Sequence, residues 1–438
     1  MAELLRTLYN VLFHLLIPVL LLRICWRERR YPKHRRRWRE RFAWRLRAAP
    51  AGRPVWIHAV SVGETVAASP LIDYLLNHYP TIPILLSTTT ATGAIAASRR
   101  FGDSVSHVLF PYDMPWVVSA FLSHYKPQLL ILMETELWPN LLARCAATNL
   151  PVVLANARLS RQSASRYKYV GSQVALMLQS IDCLAAQSSL DRDRLIALGA
   201  DSQSVTVTGS IKFDVQLPPS ALESGQSLRR VFGVNRAVII AGSTRDGEEE
   251  IVLKAFSKAS VSHPGLLLLL APRHPERFAS VSDLCRRLGF QVISHSESTA
   301  CGPEVDVCVI DSIGELPKFY AASDIAFVGG SIVPKGGHNV LEPAALGIPV
   351  IVGPYTENFS EIVDIMEKAN ALNVVSDTQS LEGIFERLLS DSNLRDASGA
   401  AGKQIVKQNK GAAMKIVHII DKILESNSSK AVQHEGAR

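Results

Sequence analysis

Carboxylates at the ends of apolar runs are the residues of this 438-residue chain best placed to do chemistry. In "WIHAVSVGETVAASPLI", residues 56–72, an apolar run meets a small-residue turn, and an apolar helical pattern follows. Gly63 permits a tight turn or a close substrate approach. Ser61 and Glu64 either cap the helix, because side-chain oxygens and carboxylates suit a first turn, or Glu64 takes a proton from a substrate. "METELWPN", 133–140, repeats the pattern. Glu134 and Glu136 end an otherwise apolar run, where charge is either at the rim or functional, and Pro139 suits the start of the next helix. In "TGSIKFD", 208–214, Lys212 is either a surface lysine or a mobile point charge for phosphate.

A second group reads as anion binding. "APRHPERF", 271–278, places Arg273, His274 and Arg277 after a strand, and Arg is the natural partner of a phosphate oxygen. "AGSTRDGEEE", 241–250, is a strand, a small-residue turn and an acidic helix start. Its exposed amides suit a phosphate, although the G-K-[ST] ending of a P-loop is absent. In "VGGSIVPKGGHNVLEP", 328–343, Gly329-Gly330 follows a strand and Gly336-Gly337 opens a helix expected near His338. Free amides at such a place receive phosphate, and Glu342, one turn in, can reach a ribose diol. There is no G-x-G-x-x-G, so the dinucleotide fingerprint is missing. The six cysteines are scattered, with no C-x-x-C pair, which argues against zinc and against a disulfide framework. No D-x-D or His/Asp metal cluster stands at these motifs, so no metal and no cofactor are expected.

The elements that must hold these residues alternate between short apolar strands and helical patterns. Strands are predicted at 55–60, 83–88, 106–110, 129–134, 151–156, 183–187 and 204–209, with helices including 65–78, 139–148 and 189–198. A second series runs through 237–243, 266–273, 290–296, 307–311, 325–331 and 349–354. Continuous apolar strands suit a parallel sheet covered on both faces. The expectation is α/β, with two doubly wound domains at 48–213 and 236–425, a linker at 214–235 and a disordered tail at 426–438. Ligands then lie beyond the carboxyl ends of the strands, where every motif above falls.

The net charge of +7 is local. Residues 23–47 hold 12 Lys/Arg and 2 Glu, which leaves the rest of the chain mildly acidic. Before them runs "LYNVLFHLLIPVLLL", 8–22, short for a span of about 20 residues. The charge follows the apolar run and no A-x-A site appears, so an uncleaved membrane anchor is expected at 1–47, spanning or lying in the interface. Trp26, Trp38, Phe42 and Trp44 interleave with the arginines as at an interface. The competing reading is a solvated basic helix that binds nucleic acid.

"GGHNVLEPAALGIPVIVGP" resembles the donor-nucleotide motif of GT-B glycosyltransferases. With "HAVSVGE", "METELWPN", "GSIKFD", "GSTRDGEEE", "APRHPERF" and the basic N-terminus, the chain resembles the 3-deoxy-D-manno-octulosonic acid (Kdo) transferases of lipopolysaccharide synthesis, as far as about residue 420. The resemblance implies a GT-B architecture, two Rossmann-like domains facing across a cleft behind an N-terminal membrane-anchor helix. It implies an inverting, metal-independent transfer of Kdo from CMP-Kdo to a lipid A precursor, on the cytoplasmic face of the cell inner membrane with its anionic lipids, and no nucleic acid. Motif by motif, Glu64 is the implied general base, and Glu134 and Lys212 stabilise the transition state. Pro272, Arg273, Ile313, Gly314, Glu315, Asn339, Val340, Leu341 and Glu342 hold the nucleotide, and Ser61, Gly63 and Glu136 face the acceptor. A lipid acceptor also implies an apolar patch near Glu64, along 65–76. Lipid A disaccharide synthase, which uses UDP-sugars, is the nearer rival enzyme; nucleotide-sugar 2-epimerases share the fold.

Overall fold

A computed structural model describes residues 2–19, 21–22, 37–297 and 301–435. The chain forms two compact units, Met1–Lys212 with Gly411–Arg438, and Phe213–Lys410.

The first unit is built on a seven-stranded parallel sheet in the order β3-β2-β1-β4-β5-β6-β7. Its strands are β1 (Val55–His58), β2 (Ile84–Thr88), β3 (Ser106–Leu109), β4 (Leu129–Met133), β5 (Val152–Ala157), β6 (Cys183–Ala186) and β7 (Val205–Val207). Alternate residues of one strand feed opposite cores, which is why the runs are continuously apolar. Trp56, Leu130, Leu132 and Leu154 pack on one side, and Val55, Ile57, Ile131 and Val153 on the other. The helices Val62–His78 and Pro139–Ala147 begin directly beyond β1 and β4. Because the strand order reverses between β1 and β4, these two helix starts flank the switch point where open α/β sheets bind ligands.

The second unit repeats the plan in the order β10-β11-β9-β8-β12-β13-β14. Its strands are β8 (Val238–Thr244), β9 (Leu267–Pro272), β10 (Val292–Ser294), β11 (Val307–Val309), β12 (Ile325–Val328), β13 (Val350–Val352) and β14 (Leu372–Val374). β14 is a three-residue edge strand whose pattern is too short to register in the sequence.

Four expectations are corrected. The stretch 214–235 is not only a linker, because the helix Ala221–Phe232 belongs to the second unit and packs on the helix Leu316–Ala321. A Cβ on Gly225 would stand 2.4 Å from the Ala321 Cβ, so glycine is what lets these helices meet. The second unit also stops at Lys410, short of 425. The helix Ala412–Glu435 returns to the first unit, where Ile416, Ile420 and Leu424 cover one face of the sheet. The Asp421 carboxylate accepts the hydroxyls of Tyr74 at 3.0 Å and Tyr79 at 2.8 Å. Helix continues to Glu435 where a disordered tail is expected, and residues 436–438 lie outside the described residues.

The fourth correction concerns the N-terminus. Among the described residues no helix is long and apolar enough to cross a membrane. The helix Ala2–Leu15 and the residues just after it lie against their own unit, with Phe13, Ile17 and Leu21 packed on Phe42, Tyr112, Met114 and Val117. The Asn10 side-chain oxygen accepts the Asn140 amide at 2.7 Å. Leu4, Leu8, Val11, Leu12, Leu15 and Val19 remain exposed. Residues 23–36, most of the basic run and Trp26, lie outside the described residues. Phe42 is fully buried, contrary to an interfacial role, and Trp44 stays 58% exposed. Arg37 donates to the buried Glu40 carboxylate and Arg41 stacks on Tyr112, so these two charges serve the fold.

Candidate active site

Glu64 fills the first of the two roles that its sequence leaves open, that of a helix-start cap. Ser61 is the N-cap of the 62–78 helix and accepts the Glu64 amide at 3.4 Å. In return, the Glu64 carboxylate accepts the Val60 amide at 2.8 Å and the Ser61 hydroxyl at 3.1 Å, which is close to a capping box. The cap fixes the carboxylate beyond β1 without keeping it a strong acid. Burial raises its pKa to about 7, against the lowering by the Val60 amide, and the Glu134 charge raises it further. Helix-start amides on their own would keep such a carboxylate a strong acid, and burial outweighs them here.

Glu134 follows β4, its amide donating to Ala155 O at 2.9 Å. It adopts φ 57°, a left-handed conformation that is uncommon outside glycine and marks a constrained turn. Glu136 accepts the Trp138 indole N–H at 2.9 Å, and burial, with the Glu64 charge next, raises its pKa to about 7. The structure thus brings Glu64, Glu134 and Glu136 into one electrostatic cluster. Glu136 has a structural partner in Trp138, which makes Glu134 the better candidate for direct chemistry.

Lys212 lies on the 3-10 turn Ile211–Phe213. Asn156 ties this turn to the acidic one. Its side-chain oxygen accepts the Ile211 amide at 3.0 Å, while its own backbone stands at φ 57° near the end of β5, one residue past Ala155. Sequence reading missed Asn156, although a polar residue ending the apolar run "PVVLAN" is the same signal that singled out Glu134. His58 of "HAVSVGE" is a core residue: it stacks on Phe110 at 3.7 Å, and burial lowers its pKa to about 3. Of the apolar patch expected along 65–76, Val66 is exposed while Leu71, Ile72 and Leu75 are core; Val62 just before it is also exposed.

In the second unit the donor-motif residues sit beyond β8, β9, β11 and β12. Arg273 follows β9 and is exposed, with its amide on Thr244 O at 3.0 Å. Glu342 accepts the Asn339 side-chain amide at 3.0 Å, and burial raises its pKa against the pull of Asn339 and Arg273. Ile313 is exposed, Gly314 takes φ 87°, and Glu315 pairs with Lys318 at 2.6 Å. Leu341 donates its amide to the Asn339 side-chain oxygen at 3.1 Å, and Val340 and Leu341 are buried in the core. Pro272 closes β9.

Three expectations fail here. The helix after Gly337 starts at Leu341 and has only six residues, so it makes no helix-start phosphate site near His338. The amides beyond β12 are also occupied. The buried Glu248 carboxylate accepts from Gly330 at 2.7 Å and from Ser331 and Ile332 at 2.9 Å, and takes the Arg245 amide at 2.8 Å. Arg277, expected to bind an anion, is instead paired with Glu249 and Asp246. Among the described residues no group of three or more His, Cys, Asp or Glu is placed to hold a metal ion.

Residues 36–215 match the model for 3-Deoxy-D-manno-octulosonic-acid transferase (kdotransferase), and residues 294–405 match glycosyl transferases group 1. A 3-deoxy-D-manno-octulosonic acid transferase of Haemophilus influenzae is 40% identical, covering 96% of this chain and 99% of that relative. One of Bordetella pertussis is 37% identical, covering 85% of this chain and 88% of its own. Among solved structures, the UDP-GlcNAc 2-epimerase of Neisseria meningitidis shares the fold at 17% identity, covering 84% of this chain and 100% of that one, with a TM-score of 0.55. Two parallel-sheet units of the glycosyltransferase kind, acids at the switch point of the first and near-full-length relatives of one activity together place the chain in the family of 3-deoxy-D-manno-octulosonic acid transferases.

Proposed function

We propose that the protein transfers Kdo from CMP-Kdo to a sugar hydroxyl of a lipid A precursor, with Glu64 as general base. The observation that carries this reading is Glu64 itself: a rigidly capped carboxylate at the switch point of the first sheet, with a pKa of about 7. A sugar hydroxyl is a poor nucleophile until its proton is removed, and a base with a pKa near the working pH is best suited to remove it. Glu64 takes that proton as the hydroxyl oxygen bonds to the anomeric carbon. The bond from that carbon to the phosphate oxygen breaks on the face opposite the attack, and CMP leaves with the electron pair, so this single displacement inverts the configuration. Glu134 stabilises positive charge developing at the sugar, and Lys212 the negative charge developing on the leaving group. Arg273, the 313–315 turn and Asn339–Glu342 hold the nucleotide. Ser61 and Gly63 border the acceptor, and exposed Val62 and Val66 offer apolar surface beside Glu64.

The test is purified protein with CMP-Kdo and a tetra-acylated lipid A precursor, read by mass spectrometry. The lipid is expected to gain mass in Kdo units, and to do so equally with a chelator present. A lipid of unchanged mass rejects the transferase reading, and transfer from UDP-sugars instead favours a disaccharide synthase. Loss of activity on chelation, restored by a divalent cation, rejects metal independence.

The exposed side of the 2–15 helix is the surface that meets the bilayer. It lies in the interface rather than spanning, and the basic run that follows attracts anionic lipid. Leu8→Glu with Leu12→Glu is expected to reduce recovery on anionic vesicles several-fold while leaving the circular dichroism spectrum unchanged. Undiminished flotation with the vesicles would move the attachment site elsewhere.

A further inference from the structure

Arg245 and two histidines form a cationic site that the reading above does not use. Arg245 follows β8, His274 follows β9, and His338 lies in the glycine loop beyond β12. These are three adjacent strands in the order β9-β8-β12, so neighbouring strand ends deliver all three side chains.

The Arg245 guanidinium donates from Nε to His338 Nε2 at 3.2 Å and from an Nη to His274 Nε2. An imidazole nitrogen that accepts must be unprotonated, so both rings are held neutral with their proton on Nδ1. The surroundings agree. Burial, then the charges of Arg245 and Arg273, hold His338 down at about 4, and burial and Arg245 lower His274. His338 is wedged against the glycine loop, where a Cβ on Gly330 would come within 2.8 Å of its ring.

These contacts orient Arg245 without neutralising it. Among the described contacts no carboxylate pairs with the guanidinium of Arg245 or Arg273, whereas Arg277 is matched by Glu249 and Asp246. None of the acids that face the cluster pairs with the Arg245 guanidinium. Glu248 is spent on backbone amides, Glu276 stands 3.8 Å from His274 Nδ1, and Glu342 is bonded to Asn339. Two guanidiniums without a carboxylate ion pair therefore remain at these strand ends, Arg245 feeling the charge of Glu248 and Arg273 that of Glu342 only at longer range.

A nucleotide-activated 2-ulosonic acid carries two anionic groups on its anomeric carbon, the nucleotide phosphate and a carboxylate. Resting on the donor reading above, we infer that Arg245, steadied by His338 and His274, receives the sugar carboxylate, while Arg273 takes the phosphate. Arg273 is the exposed one and lies in the field of Glu342, on the nucleotide side. Arg245 is half-buried with its plane set by two rings, and a fixed planar fork matches a planar carboxylate. Preorganisation of this kind converts directly into selectivity. The site then distinguishes a sugar acid from a neutral nucleotide sugar.

The test is isothermal titration of the full-length protein with CMP and with CMP-Kdo, without acceptor. Arg245→Gln is expected to weaken CMP-Kdo by roughly tenfold or more while changing CMP by less than about threefold. His338→Gln moves the same way by a smaller factor, and Arg273→Gln weakens both ligands together. Equal losses for CMP and CMP-Kdo in Arg245→Gln make the site a phosphate site and overturn the inference; so does no loss for either. If the wild-type protein binds neither ligand, the donor reading itself falls and this inference with it. Should Arg245→Gln fail to fold, Arg245→Lys and His338→Gln carry the same comparison, each checked by thermal unfolding.

Discussion

Glu64→Gln is expected to lower turnover by about 10²- to 10⁴-fold, the usual contribution of a positioned general base. It should leave CMP binding intact, because Glu64 lies in the first unit and the residues proposed to hold the nucleotide lie in the second. Gln retains an oxygen for the Val60 amide, and its NH2 can donate to the Ser61 hydroxyl oxygen instead of accepting from it, so the turn should hold its shape. Near-native turnover in this variant would remove Glu64 from the mechanism.

The pH dependence has a definite sign. A base must be ionised, and Glu64 titrates at about 7, so kcat/KM should rise with pH and level off above that value. Glu136 titrates in the same range beside it, so the observed midpoint belongs to the carboxylate cluster. Stability runs the other way. A folded pKa raised above the unfolded value of about 4.3 means the folded state holds a proton that the unfolded chain has lost. Stability from Glu64 is therefore fully present below about 4.3 and is lost as pH rises through the folded pKa. Gln never ionises, so Glu64→Gln should unfold at or above the wild-type temperature at pH 8. A variant that lost turnover and melted lower would point to a structural role instead.

Glu248→Ala is expected to produce the largest loss of stability. The carboxylate serves four backbone amides, those of Arg245, Gly330, Ser331 and Ile332. Removing it leaves buried donors without an acceptor, each worth about 1–3 kcal/mol, so a loss of about 3 kcal/mol or more is expected in urea unfolding. Glu248→Gln should be intermediate, since it keeps one oxygen but turns an N–H toward the amides. Donor affinity should fall in both variants, because the loop beyond β12 also sets Gly337, whose amide donates to Gly330 O at 2.8 Å. A loss below about 0.5 kcal/mol for Glu248→Ala would show that water or other groups satisfy these amides.

Glu64 and Glu248 illustrate what was legible in advance. Both stand at helix starts beyond strands, and their positions follow from local patterns. Their directions do not. Glu64 caps its own helix four residues from Val60, while Glu248 reaches amides 82 to 84 residues away. An acidic helix start reads identically in both cases. For the same reason the amides beyond β12 looked open to phosphate in the sequence and are occupied in the fold.

The sequence by itself determined the alternation of apolar strands and helices, the two-sheet plan and the placing of Glu64, Glu134, Lys212 and Arg273 at strand or helix ends. These are local consequences of hydrophobic period, turn residues and Pro at helix starts, readable over ten or fifteen residues. Only the tertiary structure decided which acids share a field, that Glu64 is a weak acid rather than a strong one, and that, among the described residues, Arg277 is ion-paired while Arg245 is not. It alone returned the 412–435 helix to the first unit and laid the 2–15 helix against its own unit. Burial, charge proximity and long-range hydrogen bonds depend on what the rest of the chain brings alongside, and no local window contains that.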